Sequence, residues 1–397
     1  MKFAHFADVH IGSWRDPRLK DCSTQAFNKA IDLCISEKVD FVLIAGDLFN
    51  TSMPAIDGLK VVTRRFKELS DLSIPVYIIA GSHDFSPSGK TMIDVLEEAG
   101  LVKNVVKGSI VDSRLRLNFT VDKKTGAKIT GMLGRRGMLE RQFYESLDLS
   151  ALENEPGFKI FMLHTALSEF KPKDLDKVDA TPLSYLPKGF NYYAGGHVHY
   201  IFEKNEPGYG LITYPGALFP ANFKEMEEFG HGGLYIVDEK SSKYVPITLF
   251  ERIAFNIDCK GRKPKDVEQE LLNKISSSQL QNAIVTLRLS GKLSEGKTSD
   301  IDFKRIFDLI YSKNAYFAMR NTNALESEEF EEIKIDADSI EEIEERIIKE
   351  HLGQIKIDNE EQLVKDLMKI LNKEKLEGEK NADFEKRIVE EMREFVN

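Results

Sequence analysis

The chain has 397 residues, 42% of them hydrophobic, and a formal net charge of −10. That length exceeds one average domain and points to two or three, and no run of about 18 apolar residues is present to span a membrane, so no membrane association is expected. Three cysteines, Cys22, Cys34 and Cys259, stand far apart with no CxxC pair, which argues against a disulfide framework or a zinc finger and fits a reducing cytoplasm. The acidity is local. Residues 325–397 carry 24 acids against 12 bases, and the remainder carries 41 acids and 43 bases. The net charge therefore does not exclude a polyanion as substrate for the first three quarters of the chain.

Residues 1–240 alternate short β-rich runs with helical patterns. Residues 2–7 read as a strand ending in an acid, with no signal-peptide apolar run. Further strands are expected at 41–45, 76–80, 160–163 and 192–194. Between the first three lie helix candidates at 24–38, with Ala26, Phe27, Ala30, Ile31 and Cys34 on one face, and at 56–69. Strand–helix–strand alternation predicts parallel pairing in a layered α/β sandwich. Ser86-Pro87 reads as the cap and first turn of a helix running to Ala99, which Gly100 stops. Residues 108–132 read as antiparallel strands. A Ser/Lys-rich stretch at 238–244 interrupts the pattern, and residues 251–325 follow as a small β-α-β-α-β module. Beyond residue 325 the chain is acidic and helical, with breaks at Gly353 and Gly378. One apolar stripe comprises Ile340, Ile343, Ile347, Ile348 and Leu352, and another Leu363, Leu367, Ile370 and Leu371. The expected divisions are 1–245, 246–325 and 326–397. No GxxxxGK[ST] loop for a nucleoside triphosphate is present.

The buried strands share an ending. After the first come Asp8 and His10, and after the second Gly46-Asp47. The third is followed by Gly81-Ser82-His83-Asp84, the fourth by His164, and the fifth by Gly196-His197-Val198-His199. In open α/β sheets, sites form outside the carboxyl ends of the strands, so five such ends predict one crevice. Carboxylates mixed with imidazoles suit Mn, Fe or Zn, whereas an all-oxygen set would point to Mg or Ca. Two such ions a few ångströms apart clamp the attacking and leaving oxygens of a phosphoryl displacement. Taken singly, Asp8-x-His10 or Gly46-Asp47 is an ordinary strand-end turn and His164 an ordinary buried histidine; their recurrence in this order supports a site. His5, within the first strand, reads as core, and His231 and His351 fall outside the pattern.

Asp8-x-His10, Gly46-Asp47, Gly81-x-His83-Asp84, His164 and Gly196-His197-x-His199 resemble, in order, the calcineurin-like metallophosphoesterase superfamily. Within it, Ala4-His5-Phe6-Ala7-Asp8-Val9-His10, Ala45-Gly46-Asp47-Leu48-Phe49 and Tyr214-Pro215-Gly216-Ala217 resemble the Mre-eleven/SbcD type of DNA double-strand-break nuclease. That resemblance implies a four-layer α/β/β/α sandwich with a small α/β cap domain and a C-terminal helical tail. It implies two Mn2+ ions, with Fe or Zn as alternatives. Asp8, His10, Asp47 and His199 would hold one ion; Asp47, position 82, His164 and His197 would hold the other. A hydroxide held by the ions would attack phosphorus, and His83 would protonate the leaving oxygen, as suits an imidazole near neutral pH.

The chain departs from the pattern twice: Ser82 stands where the family usually has Asn, and Asn50 where this branch often has His. The resemblance further implies exonuclease and endonuclease activity on DNA ends. It also implies a homodimer through helices 56–69 and 91–99, and docking of the tail on an SMC-like coiled-coil ATPase of the Rad-fifty/SbcC type. A cytoplasmic, nucleoid-associated location follows. Trp14-Arg15, Arg135-Arg136, Lys260, Arg262, Lys263 and Lys265 are the expected phosphate contacts. Two other readings are a DNA-tethering scaffold subunit with catalysis weakened by Ser82, and a small-molecule phosphodiesterase; the cap and tail fit the latter poorly.

Overall fold

The computed structural model describes residues 1–86, 89–135, 141–171, 179–327, 360–371, 373 and 381–396. The readings placed on Pro87, Arg136, His351, Gly353, Gly378 and the isoleucine stripe from Ile340 to Leu352 lie outside these residues. The first strands are β1 (Lys2–Phe6), β2 (Phe41–Ala45), β3 (Val76–Ile79), β4 (Lys103–Asn104), β5 (Gly108–Val111), β6 (Arg114–Leu117), β7 (Thr120–Val121) and β8 (Lys128–Gly131). There follow β9 (Lys159–His164), β10 (Tyr192–Gly196), β11 (Phe202–Glu206), β12 (Gly210–Tyr214), β13 (Gly232–Asp238) and β14 (Ser242–Ile247). The last three are β15 (Glu251–Asp258), β16 (Ala283–Lys292) and β17 (Phe317–Glu326). The helices are α1 (Pro17–Ser36), α2 (Ile56–Asp71), α3 (Met92–Glu98), α4 (Arg141–Glu145), α5 (Leu149–Glu153), α6 (Phe223–Glu228), α7 (Pro264–Ser277), α8 (Phe303–Ser312), α9 (Glu360–Leu371) and α10 (Asn381–Val396).

Among the described residues two six-stranded sheets form, in the orders β14-β13-β1-β2-β3-β4 and β11-β12-β10-β9-β8-β7. In the first, β1, β2 and β3 are parallel, and in the second β8, β9 and β10. The period of two along each strand decides the layering. Phe41, Leu43 and Ala45 of β2 face the second sheet with Phe3, Tyr77, Tyr192 and Met162. Val42 and Ile44 face the other way, against Ala26, Phe27 and Ile31 of α1 and Phe66 of α2. On the far side of the second sheet, Phe161, Leu163 and Tyr193 meet Tyr144 of α4 and Leu152 of α5. Strands buried on both faces read as continuous apolar runs, which is why 41–45 and 76–80 were legible. His5 is core as expected: it is fully buried between the sheets, with Nδ1 2.9 Å from Tyr192 Oη and 3.0 Å from Thr213 Oγ1.

Three local readings need correction. Helix α1 starts at Pro17 rather than 24, capped by the Asp16 carboxylate that accepts Arg18 N–H, and its first turns already bury Leu19, Cys22 and Ser23. Ser86 does not open a helix. Its hydroxyl closes a turn with Lys90, and α3 begins at Met92 under a capping box of Thr91 and Asp94. The polar stretch near 238–244 does not interrupt the sheet: the Asp238 carboxylate accepts Lys240 N–H and Ser241 N–H, turning β13 into β14 as a hairpin beside β1.

Residues Met1–Glu329 form one compact unit and Phe330–Asn397 another. The first unit includes a separate parallel sheet β15-β16-β17. Val267, Leu271 and Ile275 of α7 and Phe303, Ile306 and Ile310 of α8 cover its core. Phe250 stacks on Tyr316 at 3.9 Å between centroids, and Arg18 of α1 lies over the rings of Tyr311 and Phe317. In the second unit, α9 and α10 pack together with Ile370 and Ile388 buried and Lys373 Nζ 2.7 Å from Glu391. Leu371, from the expected stripe, is 60% exposed. No helix among the described residues is long and apolar enough to cross a membrane.

Candidate metal centre

The loops after β1 and β2 are paired: Asp8 N–H donates to Gly46 O over 3.1 Å, and His10 N–H to Asp47 O over 3.0 Å. Leu218 N–H donates to Asp8 O, which brings the segment after Tyr214-Pro215-Gly216-Ala217 alongside. Four of the expected ligands sit in the left-handed region: Asp8 (φ 50°), His10 (46°), Asp47 (52°) and His197 (86°). For residues with a Cβ this costs on the order of 1–3 kcal/mol each and persists only where surrounding bonds fix it. It folds the loops back so that the side chains of Asp8, His10 and Asp47 reach one another's ligand atoms.

The crevice gathers the predicted residues. His10 Nε2 lies 3.2 Å from His199 Nε2 and 3.8 Å from Asp47 Oδ2. His164 Nε2 lies 3.2 Å from Asp47 Oδ2, and His199 Nε2 3.8 Å from Asp8 Oδ1. Three sets bring ligand atoms within 4.8 Å of one another: Asp8, His10 and His199; His10, Asp47 and His83; and Asp8, Asp47 and His164. His197 belongs to none of the three, though its ring is 5.2 Å from that of His164. Its backbone N–H donates to both Asp8 carboxylate oxygens over 3.0 Å. Ser82 Oγ donates to Asp47 Oδ2 over 3.4 Å, and His83 N–H to Asp47 Oδ1 over 2.7 Å.

The hydrogen bonds behind the histidines test whether a metal fits. The Ala45 carbonyl can only accept, so His164 Nδ1, 2.7 Å away, carries a proton there. Its Nε2 is then buried without a hydrogen-bond partner, aimed at the Asp47 carboxylate but outside hydrogen-bonding geometry. A fixed Nδ1–H and a free Nε2 facing carboxylates is the arrangement of a metal-bound histidine. His199 is backed in the same way, with Glu225 Oε1 2.9 Å behind Nδ1, while its Nε2 lies 3.2 Å from His10 Nε2. The residues present therefore fit a metal. The His164 ring is walled in by backbone: a side chain at Gly46, Gly81, Gly134 or Gly196 would strike it.

Without a metal, protons take up the charge. Burial opposes a charged His164, but the Asp47 carboxylate outweighs it and holds the ring protonated up to about 10. Asp47 itself, despite burial, is held far below the usual carboxylate range by His164 and His10. His199, against the effect of its partial burial, is held up to about 9 by Glu225 and Asp8, whereas burial lowers His10 to about 3 and His197 to about 4.

Sequence reasoning missed three contributors. Asp84, part of the quoted motif but given no role, is fully buried and accepts Gly81 N–H (2.9 Å), Phe49 N–H (3.1 Å) and Leu48 N–H (3.4 Å), pinning the loops after β2 and β3 to each other. The Asn50 carbonyl accepts His83 Nδ1–H. Glu225 backs His199, and its one sequence signal is Asn222-x-x-Glu225, the spacing of a helix cap. Among the expected phosphate contacts, Trp14 donates Nε1–H to Pro220 O. Arg135 lies 5.4 Å from the ring centroids of both Phe85 and Phe143. Arg262 and Lys263 pair with Glu270 and Glu295, while Arg15, Lys260 and Lys265 are exposed.

Similarity to known proteins agrees with this geometry. The family model for calcineurin-like phosphoesterases matches residues 1–200. The DNA double-strand break repair protein Mre11 of Archaeoglobus fulgidus is 27% identical over 417 residues, spanning 99% of this chain and 89% of that protein. The protein of the same name from Methanocaldococcus jannaschii is 28% identical over 330 residues, 79% of this chain and 80% of its own. A solved dimetal phosphatase from Danio rerio covers 62% of this chain and 98% of its own at 11% identity, with a TM-score of 0.39.

Proposed function

This chain belongs to the calcineurin-like phosphoesterase family, whose centre is dinuclear, and on that footing we propose that it is a metal-dependent DNA nuclease that processes double-strand-break ends. The observation that carries the reading is the pair of backed histidines: His164 on Ala45 O and His199 on Glu225 each present Nε2 to a carboxylate in one crevice. DNA as substrate is supported by relatives named for double-strand-break repair, one of them similar along 99% of the chain.

Asp8, His10, Asp47 and His199 would hold one ion, and Asp47, Ser82, His164 and His197 the other. Imidazoles and carboxylates in this mixture suit Mn2+, Fe or Zn, and the family resemblance points to Mn2+. Bound ions would supply Lewis acidity to the phosphate and lower the pKa of water at the site. Asp8 orients the His197 loop through its backbone N–H, and Asp84 keeps the Asp47 and His83 loops in register. His83, its Nδ1–H held by the Asn50 carbonyl, is the proton donor in its doubly protonated form, giving the Nε2 proton to the leaving oxygen.

The division into a nuclease domain (1–245), a cap (246–325) that positions DNA and an acidic tail (326–397) belongs to the same proposal, as does a cytoplasmic, nucleoid-associated site of action. So do a homodimer through α2 and α3 and docking of the tail helices on an SMC-like coiled-coil ATPase. The test is cleavage of linear duplex DNA beside a nucleotide phosphodiester, with Mn2+ and with chelator. Mn2+-dependent DNA degradation is expected. Turnover of the small diester alone, with no DNA binding, would instead identify a small-molecule phosphodiesterase.

A further inference from the structure

Helix α6 touches both the metal centre and the small domain. On the centre's side, Glu225 Oε1 accepts His199 Nδ1–H over 2.9 Å and also the Asn222 amide, while Oε2 accepts Ala221 N–H over 2.8 Å. Glu225 N–H in turn donates to Asn222 Oδ1 over 3.0 Å, which caps α6. The carboxylate behind His199 is thus tied into the helix's own first turn and cannot shift without it. Two residues on, Glu227 receives Arg288 Nε at 2.8 Å on both oxygens and Arg288 Nη2 at 2.6 Å on Oε2. The Arg288 guanidinium also lies 5.3 Å from the centroid of the Phe223 ring, and Arg252 Nη1–H donates to the Glu227 carbonyl. Arg252 and Arg288 belong to β15 and β16 of the small domain. Glu225 and Glu227 side chains are 12% and 16% exposed, so both contacts are largely shielded from water.

We propose that α6 couples the seating of the small domain to the grip on the ion held by His199, with Glu225 as a positioning residue for that ligand. This rests on His199 being a metal ligand. A guanidinium fork on a carboxylate fixes direction as well as distance, so moving β15 and β16 moves α6, and with it the acceptor that orients the imidazole. Removing the partner behind a ligating histidine typically weakens metal binding about 10–100-fold. The coupling runs both ways: metal binding favours the seated small domain.

The experiment is calorimetric titration of the metal-free full chain with Mn2+, comparing wild type, Glu225→Ala, Glu225→Gln, Arg288→Ala, Arg288→Lys and the double alanine variant. Glu225→Ala should weaken one of two ions about 10–100-fold, with partial rescue in Glu225→Gln, which keeps an acceptor oxygen. Arg288→Ala, which touches no ligand, should weaken the same ion several-fold, Arg288→Lys should be intermediate, and the double variant should lose little beyond Glu225→Ala. The unaffected ion reports that the fold is retained. Wild-type affinities in Arg288→Ala and Arg288→Lys, equal loss of both ions, or additive losses in the double variant would overturn the coupling. A wild-type chain that takes up no ions at all would overturn the metal reading beneath it.

Discussion

His83 donates its Nδ1–H to the main-chain carbonyl of Asn50 over 2.8 Å. The ring of His10 stands edge-on to it, 4.8 Å between centroids, so the proposed proton donor is fixed by backbone on one side and by a proposed ligand on the other. Because the anchor is a carbonyl, the Asn50 side chain is not needed for it. Asn50→Ala should therefore leave Mn2+ affinity unchanged and DNA cleavage within about threefold of wild type. A tenfold loss in single-turnover cleavage would show that the amide itself meets the substrate.

Ser82 is the short member of its proposed ligand set. Its hydroxyl reaches Asp47 Oδ2 over 3.4 Å, a long contact. Ser82→Asn places an amide oxygen one bond further out, and it should tighten the weaker of two Mn2+ ions and raise cleavage at limiting metal. Ser82→Ala, which removes that oxygen altogether, should weaken the same ion and lower cleavage at limiting metal. Weaker metal binding in Ser82→Asn would mean that the pocket has no room for the amide.

Metal loading should release protons. In the metal-free centre the Asp47 carboxylate, against the effect of burial, holds His164 protonated up to about 10, and Glu225 and Asp8 do the same for His199 up to about 9. Both pKa values are raised, so near pH 7 both rings carry the extra proton and must lose it to bind a metal. Affinity should rise with pH, about tenfold per unit for each proton released. Calorimetry at pH 7 in buffers of different ionisation enthalpy should find one to two protons leaving; none would contradict this charge state.

Asp84 pins two loops without facing the crevice. Its carboxylate satisfies the N–H groups of Gly81, Phe49 and Leu48, all buried. Asp84→Ala leaves those donors without a partner, and urea unfolding of the metal-free chain should show a loss of about 3 kcal/mol. A loss below about 1 kcal/mol would mean that the loops hold their register by other contacts.

The parallel strands β1, β2 and β3 and the proposed ligands are legible because these strands are largely apolar and are followed by an Asp or His, a change of residue type visible without a structure. Asp8, His10, Asp47, Ser82, His83, His164 and His199 all reach one crevice, and His197 lies beside it. What could not be read depends on distant pairing or on backbone. The pairing of β13 with β1 joins residues more than two hundred positions apart. The Ala45 and Asn50 carbonyls that orient His164 and His83 leave no side-chain signature. Glu225 looks like a cap residue of a six-residue helix, and only the structure places that helix behind His199. The start of α1 lies ahead of the apolar face at 26–34, in a mostly polar stretch where only Asp16-Pro17 marks it.

The most direct test removes the proposed proton donor and leaves the metal ligands intact. End-labelled duplex DNA is incubated with the His83→Ala chain in Mn2+, with metal content measured on the same sample. The account predicts cleavage lowered by about 10²–10⁴-fold with two ions still bound. Cleavage at the wild-type rate by a fully metal-loaded His83→Ala chain would contradict it.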